Sequence, residues 1–454
     1  MTLRIIVDDG GPLPDRLREL IGVDRFGKLI FKRRSLATIL EDAAVAAGLD
    51  PPMVLKNGAD WSKFAERARS EDRSEDRYLV CPAHVVAGRD AASLAMFFKQ
   101  ARYSPQNLVL SVSGGPESAA WTLMTASMFG LYLRARAQGE IPAFFERHRN
   151  QFVELDQRLD LIDLSDEVTL LEFLSGTFEA RSFNAVESDA YTITKRSTDK
   201  IKLEREFRYF EMLPPRMQAF FVRPFDFTDH GETASYRMER LFIPDMAVQW
   251  IHGALTESEF HRFLDHVMCF VSVRAERAAK PGEADTAIEA LFVTKVRERV
   301  QAMKGAETYG SLEPLIDQAC GSLDALLDRY LALFERMRRH LPTKTVVIGH
   351  GDLCFSNILY AKTSQTLKLI DPRGALVEDD LWTHPYYDLA KLSHSIRGHY
   401  DFVNQGMFDI RLDRAVRPQL VIDRPELDWP AAMFVESLEK AGIPAENVRL
   451  CEAS

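Results

Sequence analysis

The sequence predicts two architectures in one chain. An α/β layer occupies residues 1–175, and an α+β region follows, in which a small β-rich stretch (176–250) leads into a larger helical one (251–454). Three observations carry this. Short apolar strands alternate with helical periodicity through the first third of the chain. Beyond residue 180, β-branched and aromatic residues gather into strand-like runs. After residue 250, apolar residues recur at helical spacing. At 454 residues the chain is also too long for one core, so two or three are expected.

In the first region, Arg4-Ile-Ile-Val runs as a strand into the turn signal Asp8-Asp9-Gly10-Gly11-Pro12. Lys28-Leu-Ile-Phe is a second strand, with Ser35 after it as a helix N-cap. Leu36, Ile39, Leu40, Ala43 and Ala47 then share a helical face that ends at Gly48. Tyr78-Leu-Val-Cys and Asn107-Leu-Val-Leu-Ser-Val are further strands, and the alternation implies a largely parallel sheet. Between them, residues 69–77 repeat a charged four-residue unit and read as a solvated face. In the β-rich stretch the strands fall at 190–195, 220–224 and 234–242, and Pro214-Pro215 stops a helix over 204–213. In the helical stretch Leu323, Leu326, Leu327, Tyr330, Leu331, Phe334 and Met337 form one stripe. Beyond Arg411 only a closing helix after Pro430 is legible.

Composition narrows the function. Lys+Arg number 57 against 67 Asp+Glu, a net charge of −10 that speaks against a nucleic-acid coat or a binder of anionic membranes. The five cysteines (Cys81, Cys269, Cys320, Cys354, Cys451) are scattered and form no CxxC pair, so neither a zinc site nor a disulfide framework is indicated. The opening residues turn acidic within nine positions, and no apolar run approaches the ~20 residues that span a bilayer. A cytoplasmic protein is expected. None of the 11 histidines forms HxxxH or HExxH, and no Gly-x-Ser-x-Gly elbow supports a serine hydrolase.

The chemistry is concentrated in Val346-Val-Ile-Gly-His350-Gly351-Asp352-Leu-Cys-Phe-Ser-Asn357, followed by Lys368-Leu-Ile-Asp371-Pro-Arg373-Gly374. Phosphoryl transfer needs a carboxylate beside the incoming hydroxyl and oxygen ligands that hold Mg²⁺ on the nucleotide phosphates. An Asp, an Asn five residues on, and a second Asp at the end of the next strand can supply them. This pattern resembles the aminoglycoside phosphotransferase and choline kinase family, relatives of the protein kinases. The resemblance implies a two-lobed protein-kinase-like fold, with 176–250 as the small lobe and 251–454 as the helical large lobe. It implies Asp352 as catalytic base and His350 as a brace of the loop. Asn357 and Asp371 would be Mg²⁺ ligands, and Asp388 would support the loop.

In the resembled family a strand Lys touches the phosphates and pairs with a helix Glu. Lys195 and Glu206 take those places for binding ATP, with Glu204 as a competing partner. Residues 181–187 occupy the position of a phosphate-covering loop but lack its Gly-x-Gly-x-x-Gly. Tyr236-Arg-Met-Glu239 resembles the hinge where backbone groups read adenine, and reads equally as an edge strand. Asp371-Pro-Arg-Gly departs from Asp-Phe-Gly and is similar to phosphotransferase-like proteins encoded with capsule and surface-polysaccharide genes. Arg373 is open to two roles, binding an anionic substrate group or serving as a structural ion-pair partner.

Members of that subgroup often carry a sugar-nucleotidyltransferase-like domain ahead of the kinase-like one, and 1–175 looks distantly similar, a Rossmann-type layer. Its acidic turn contains no basic side chain, and Pro82-Ala-His84-Val stands where a metal-binding Asp is expected. A degenerate domain follows from that reading, suited to dimerisation, scaffolding or binding without turnover. Ser113-Gly-Gly-Pro-Glu-Ser118 mimics an ATP pyrophosphatase loop, with Glu in place of Asp, and reads better as a helix start. The expected activity is ATP- and Mg²⁺-dependent phosphorylation of a hydroxyl on a sugar, an amino alcohol or a surface-polysaccharide precursor. Its alternatives are a nucleotide-binding pseudokinase that acts as an assembly module, and a nucleotidyltransferase acting through the N-terminal domain. No nucleic-acid partner is expected, and a homodimer is compatible with the chain.

Overall fold

The computed structural model describes residues 2–31, 34–70, 75–88, 91–112, 120–155, 159–174, 186–188, 191–414 and 417–454. The chain divides into two compact units, Met1–Leu174 and Ser175–Ser454. Among the described residues no helix is long and apolar enough to cross a membrane.

The first unit is built on a six-stranded sheet in the order Met53–Leu55, Leu3–Asp8, Arg77–Pro82, Ala120–Thr125, Asn107–Ser111, Phe152–Glu154. It is less parallel than the alternation implied. Ala120–Thr125 runs antiparallel to both of its neighbours. Sequence reasoning placed a helix there. The helix begins only at Ala126, where Thr125 caps it by accepting from the Met128 N–H. The reason is packing: Ala120, Trp121, Thr122, Leu123 and Met124 are all buried, so both faces of this strand are covered. Residues 113–118, with their pyrophosphatase-like pattern, lie outside the described residues. So do 71–74 of the charged repeat and 181–185 of the phosphate-covering position. Lys28 closes a short 3₁₀ turn instead of opening a strand, and only Ile30–Phe31 pairs, with Arg34–Ser35. Ser35 does cap the helix Leu36–Ala46, accepting from the Thr38 N–H.

The second unit opens with an antiparallel sheet of four strands in the order Val186–Ser188, Thr192–Ser197, Ala234–Glu239, Pro224–Asp229. The helix Lys200–Met212, capped by Asp199, buries Leu203, Glu206 and Tyr209, and Ala234 and Tyr236 of the sheet meet Leu203 in a small core. Phe220–Val222 does not join this sheet as expected. Instead Leu369 donates its N–H to the Phe220 carbonyl (2.7 Å), and Val222 donates to the Leu369 carbonyl (3.2 Å). The sheet is thereby tied to a hairpin of Ile358–Ala361 and Thr366–Leu369.

Helices make up most of the remainder. Glu257–Val273 starts in a capping box of Thr256 and Glu259 and buries Phe260, Phe263, Leu264, Val267 and Phe270. Glu283–Glu289 passes through a π-turn, Ala290–Thr294, into Lys295–Lys304. On Leu323–Arg338 the apolar stripe is present, but Leu326 stands 43 % exposed. The C-terminal stretch holds more than one closing helix. A hairpin of Phe408–Leu412 and Pro418–Ile422 precedes Trp429–Lys440 and Ala445–Glu452.

Candidate active site

The hairpin brings the site together. Ile358 pairs with Leu369, so Asn357 and Ile370 face one another at its open end, where the Ile370 N–H donates to the Asn357 carbonyl (3.1 Å). Asp371 follows directly. Two residues 14 apart in sequence thus become neighbours by register alone. Asn357 Nδ2 donates to the Asp352 carbonyl (2.8 Å), which fixes the amide and turns its Oδ1 away as an acceptor.

The loop ahead of Asn357 is held from behind by Asp388, which is fully buried. Its carboxylate accepts from the N–H groups of His350 (3.0 Å) and Gly351 (2.8 Å) and from Arg274 Nη1 (3.0 Å). His350 is buried as well. Its Nδ1 accepts from the Asp352 N–H (3.2 Å), and its Nε2 donates to the Ile370 carbonyl (2.9 Å). Burial pushes the imidazole below its ordinary pKa, against the Asp388 charge, so the neutral ring is a spacer between the loop and the Asp371 strand. Gly351 sits at φ +81°, and a Cβ there would meet the Arg373 Cβ at 2.7 Å. Tyr209, from the helix Lys200–Met212, donates to the Gly349 carbonyl (2.9 Å).

Lys195 reaches this loop system from the sheet. Its Nζ donates to Glu206 Oε2 (2.6 Å) and to Asp371 Oδ1 (2.8 Å). Burial pushes the ammonium pKa down, but Asp371 and Glu206 outweigh it and hold it above the ordinary lysine value. The Glu206 side chain is 4 % exposed, and burial raises its carboxyl despite Lys195. Tyr236, opposite Lys195 in the strand register, donates to Glu206 Oε2 (3.3 Å). Of the two candidate partners, Glu206 meets Lys195. Glu204 lies at the surface in an ion pair with Arg208 (2.7 Å). Asp371 itself has φ +55°, uncommon for a residue with a side chain. Three residues on, Gly374 passes so close to the helix that a Cβ would lie 1.9 Å from the Arg205 carbonyl oxygen.

Asp352 points to a second group of side chains. Lys391 Nζ lies 2.9 Å from its Oδ1. Burial raises the Asp352 carboxyl, yet Lys391, with Arg373 behind it, holds it below the ordinary value. Arg373 Nη1 reaches the Tyr387 hydroxyl (3.3 Å), which Lys295 Nζ also contacts (2.5 Å). Arg373 contacts no carboxylate among the described residues.

The structure therefore brings together Lys195, Glu206 and Asp371, and separately His350, Asp352 and Asn357, joined through the Asn357–Ile370 rung. It does not bring in Glu239. That residue ends its strand exposed, opposite Thr192, with no polar contact to the others among the described residues. Sequence reasoning missed Lys391, Arg274, Tyr387 and Lys295. Lys391 had a signal, standing three residues after Asp388 on one helix. Arg274, 114 residues from its partner, had none.

Asn357, and Asp371 next to its rung partner Ile370, carry hard oxygen donors at the open end of one hairpin, and Mg²⁺ is commonly held by one or two such groups with phosphates and waters completing its shell. The donor set fits that ion.

No protein-family model matches the chain, and no curated protein matches it. Among solved structures, an aminoglycoside 3'-phosphotransferase of type VIII is similar at 14% identity and a TM-score of 0.33, covering 57% of this chain and 83% of its own. An aminoglycoside phosphotransferase from Streptomyces rimosus, in complex with ADP and streptomycin, is similar at 14% identity and TM-score 0.35, covering 61% and 95%. A putative glucose-1-phosphate thymidylyltransferase from Bacillus anthracis is similar at 13% identity and TM-score 0.27, covering 40% and 97%.

Proposed function

We propose that residues 176–454 form a two-lobed kinase-like phosphotransferase, which moves the γ-phosphoryl group of ATP to a hydroxyl of a small molecule. The observation that carries this is the bridge from Lys195 to Glu206 and Asp371, set beside a loop that presents Asp352 and Asn357.

In this reading Glu206 orients Lys195 toward the phosphates. Asp352, ionised at neutral pH, receives the hydroxyl proton as the acceptor oxygen bonds to the γ-phosphorus. The bond from that phosphorus to the β–γ bridging oxygen breaks, and ADP leaves. Mg²⁺, held by Asn357 and Asp371, would neutralise phosphate charge when bound. The acceptor falls among sugars, amino alcohols and surface-polysaccharide precursors.

We propose that the 1–175 layer is nucleotidyltransferase-like without turnover. Its acidic turn is spent internally. Asp8 takes Arg136 (2.7 Å) and the Trp61 indole N–H (3.2 Å), and Asp9 accepts from the Gly27 N–H (3.2 Å). Those bonds leave the turn a structural role.

Thermal denaturation with and without Mg·ATP tests the proposal, because a ligand that binds only the native state raises Tm. Mg·ATP is expected to raise Tm, and Asp371→Ala to abolish the shift. Asp352→Ala is expected to retain the shift and to lower acceptor-dependent ATP consumption by about 10²–10⁴-fold. An unaltered shift in Asp371→Ala would sink the assignment.

A further inference from the structure

The side chains around Asp352 carry more positive charge than that carboxylate balances. Lys391 pairs with it at 2.9 Å. Lys295 and Arg373 converge from different elements on one neutral group, the Tyr387 hydroxyl, at 2.5 and 3.3 Å. Arg299 stands one turn after Lys295 on the same helix face, as Lys391 stands one turn after Tyr387. Two helices and the loop after Asp371 thus aim four cations at one place, with Asp352 as the carboxylate that faces them.

The backbone is adapted to this. A π-turn at Ala290–Thr294 immediately precedes Lys295 and re-aims the helix face that follows it. The turn is locked by Phe292, which is fully buried against Phe334, His384 and Tyr387. The Tyr330 hydroxyl also donates to the Phe292 carbonyl (2.8 Å). Like charges held this way oppose folding unless a counter-charge joins them.

We infer that this cluster is the acceptor subsite and that the acceptor is an anion, a hydroxyl compound carrying a phosphomonoester or carboxylate that Lys295, Arg299 and Arg373 bind while its hydroxyl lies at Asp352. The inference rests on the phosphotransferase reading and narrows its acceptor. Bidentate guanidinium groups suit either kind of anion. A cationic amino alcohol would meet four like charges here.

Electrostatics agree with the geometry. Burial, then the charges of Arg373, Lys391 and Arg299, lower the Lys295 ammonium to about 7, with Asp352 opposing. An anion bound among these groups must raise it.

The test is the rate of amine acylation at Lys295, followed by peptide mass spectrometry near neutral pH on the full chain without nucleotide. Lys440, an exposed lysine paired with Glu436, serves as internal reference. Glycerol 3-phosphate, glycerate, inorganic phosphate and glycerol are the probes. Either glycerol 3-phosphate or glycerate is expected to slow Lys295 acylation by about tenfold, glycerol to leave it unchanged, and Lys440 to be unaffected by all four. Which of the two protects tells phosphomonoester from carboxylate, and protection by inorganic phosphate supports the former. In Arg299→Ala, an exposed position, the protection is expected to fall severalfold. Equal acylation with every probe, in protein whose Tm still rises with Mg·ATP, overturns the anionic acceptor and leaves the phosphotransferase standing. Absence of the Mg·ATP shift overturns both.

Discussion

At the scale of single residues, the site depends on side chains whose charge is satisfied in one arrangement only. Arg274 and Asp388 show this best. Their side chains are 5 % and 0 % exposed, and between them they hold two backbone N–H groups of the Asp352 loop and the Pro385 carbonyl. A buried pair of this kind adds little net stability, but removing one partner strands the other in a low dielectric. Arg274→Met is therefore expected to cost about 3–5 kcal/mol, read as a lower urea midpoint. Activity should fall with it, because an unpaired Asp388 no longer keeps Gly351 at positive φ. Lys195 shows the same logic at the other end of the site, where two carboxylates offset its burial.

At the scale of elements, short-range register and close approach place the groups. The hairpin from Ile358 to Leu369 sets Asn357 beside Asp371, and Gly374 lets the following loop touch the helix that carries Glu206. Gly374→Ala is expected to push that loop off the helix, costing about 1–3 kcal/mol and weakening the Mg·ATP shift, since Asp371 moves with it. A helix cap carries a second, separable prediction. Asp245 accepts from the Val248 N–H (2.7 Å) at the start of Met246–Ile251. Burial, with Asp401 nearby, raises its carboxyl to about 7, and burial raises Asp401 to about 6. Both values lie above those of the unfolded chain. The stability their neutral forms contribute is therefore present at low pH and is lost as pH rises through about 6 to 7. Asn caps as well as Asp and stays neutral. Asp245→Asn should shrink the loss of urea midpoint between about pH 5 and pH 8 relative to the unsubstituted protein. His252 and His384, lowered to about 4 by burial, act in the opposite sense, losing stability as pH falls. They do so in both proteins, so the difference isolates Asp245.

At the scale of the whole molecule, the charge of −10 and the cationic cluster around Tyr387 would pull an anion in opposite directions. Salt distinguishes which field acts at the site, because it screens the sum over the chain more completely than contacts at hydrogen-bond distance. Raising NaCl is expected to weaken the protection of Lys295 by its anion, the sign of local attraction. Protection that strengthens with salt would mean that the acidic surface dominates. The net charge thus speaks against a general polyanion binder and leaves room for a built anion site.

Much of the site was legible before any fold was known. His350, Asp352, Asn357 and Asp371 stand within one short stretch, and local pattern governs such a stretch: two strands, a turn, and polar residues at their ends. Ser35 and Pro214 likewise act through neighbours a few residues away. Three things had no local cause. The strand at Ala120–Thr125 is a strand because both its faces are buried, and burial is a property of the sheet rather than of the segment. The choice of Glu206 over Glu204 follows from which side of a helix meets Lys195. The cations around Tyr387, and the Arg274–Asp388 pair behind the loop, join residues from four separate elements whose individual spacings mean nothing in sequence. What the sequence determined by itself is the set of polar groups on one loop and the strand end that follows it: His350, Asp352, Asn357 and Asp371. Only the tertiary structure decided which charges surround Asp352, because electrostatics depends on distance in space, and the chain reverses direction many times between those residues.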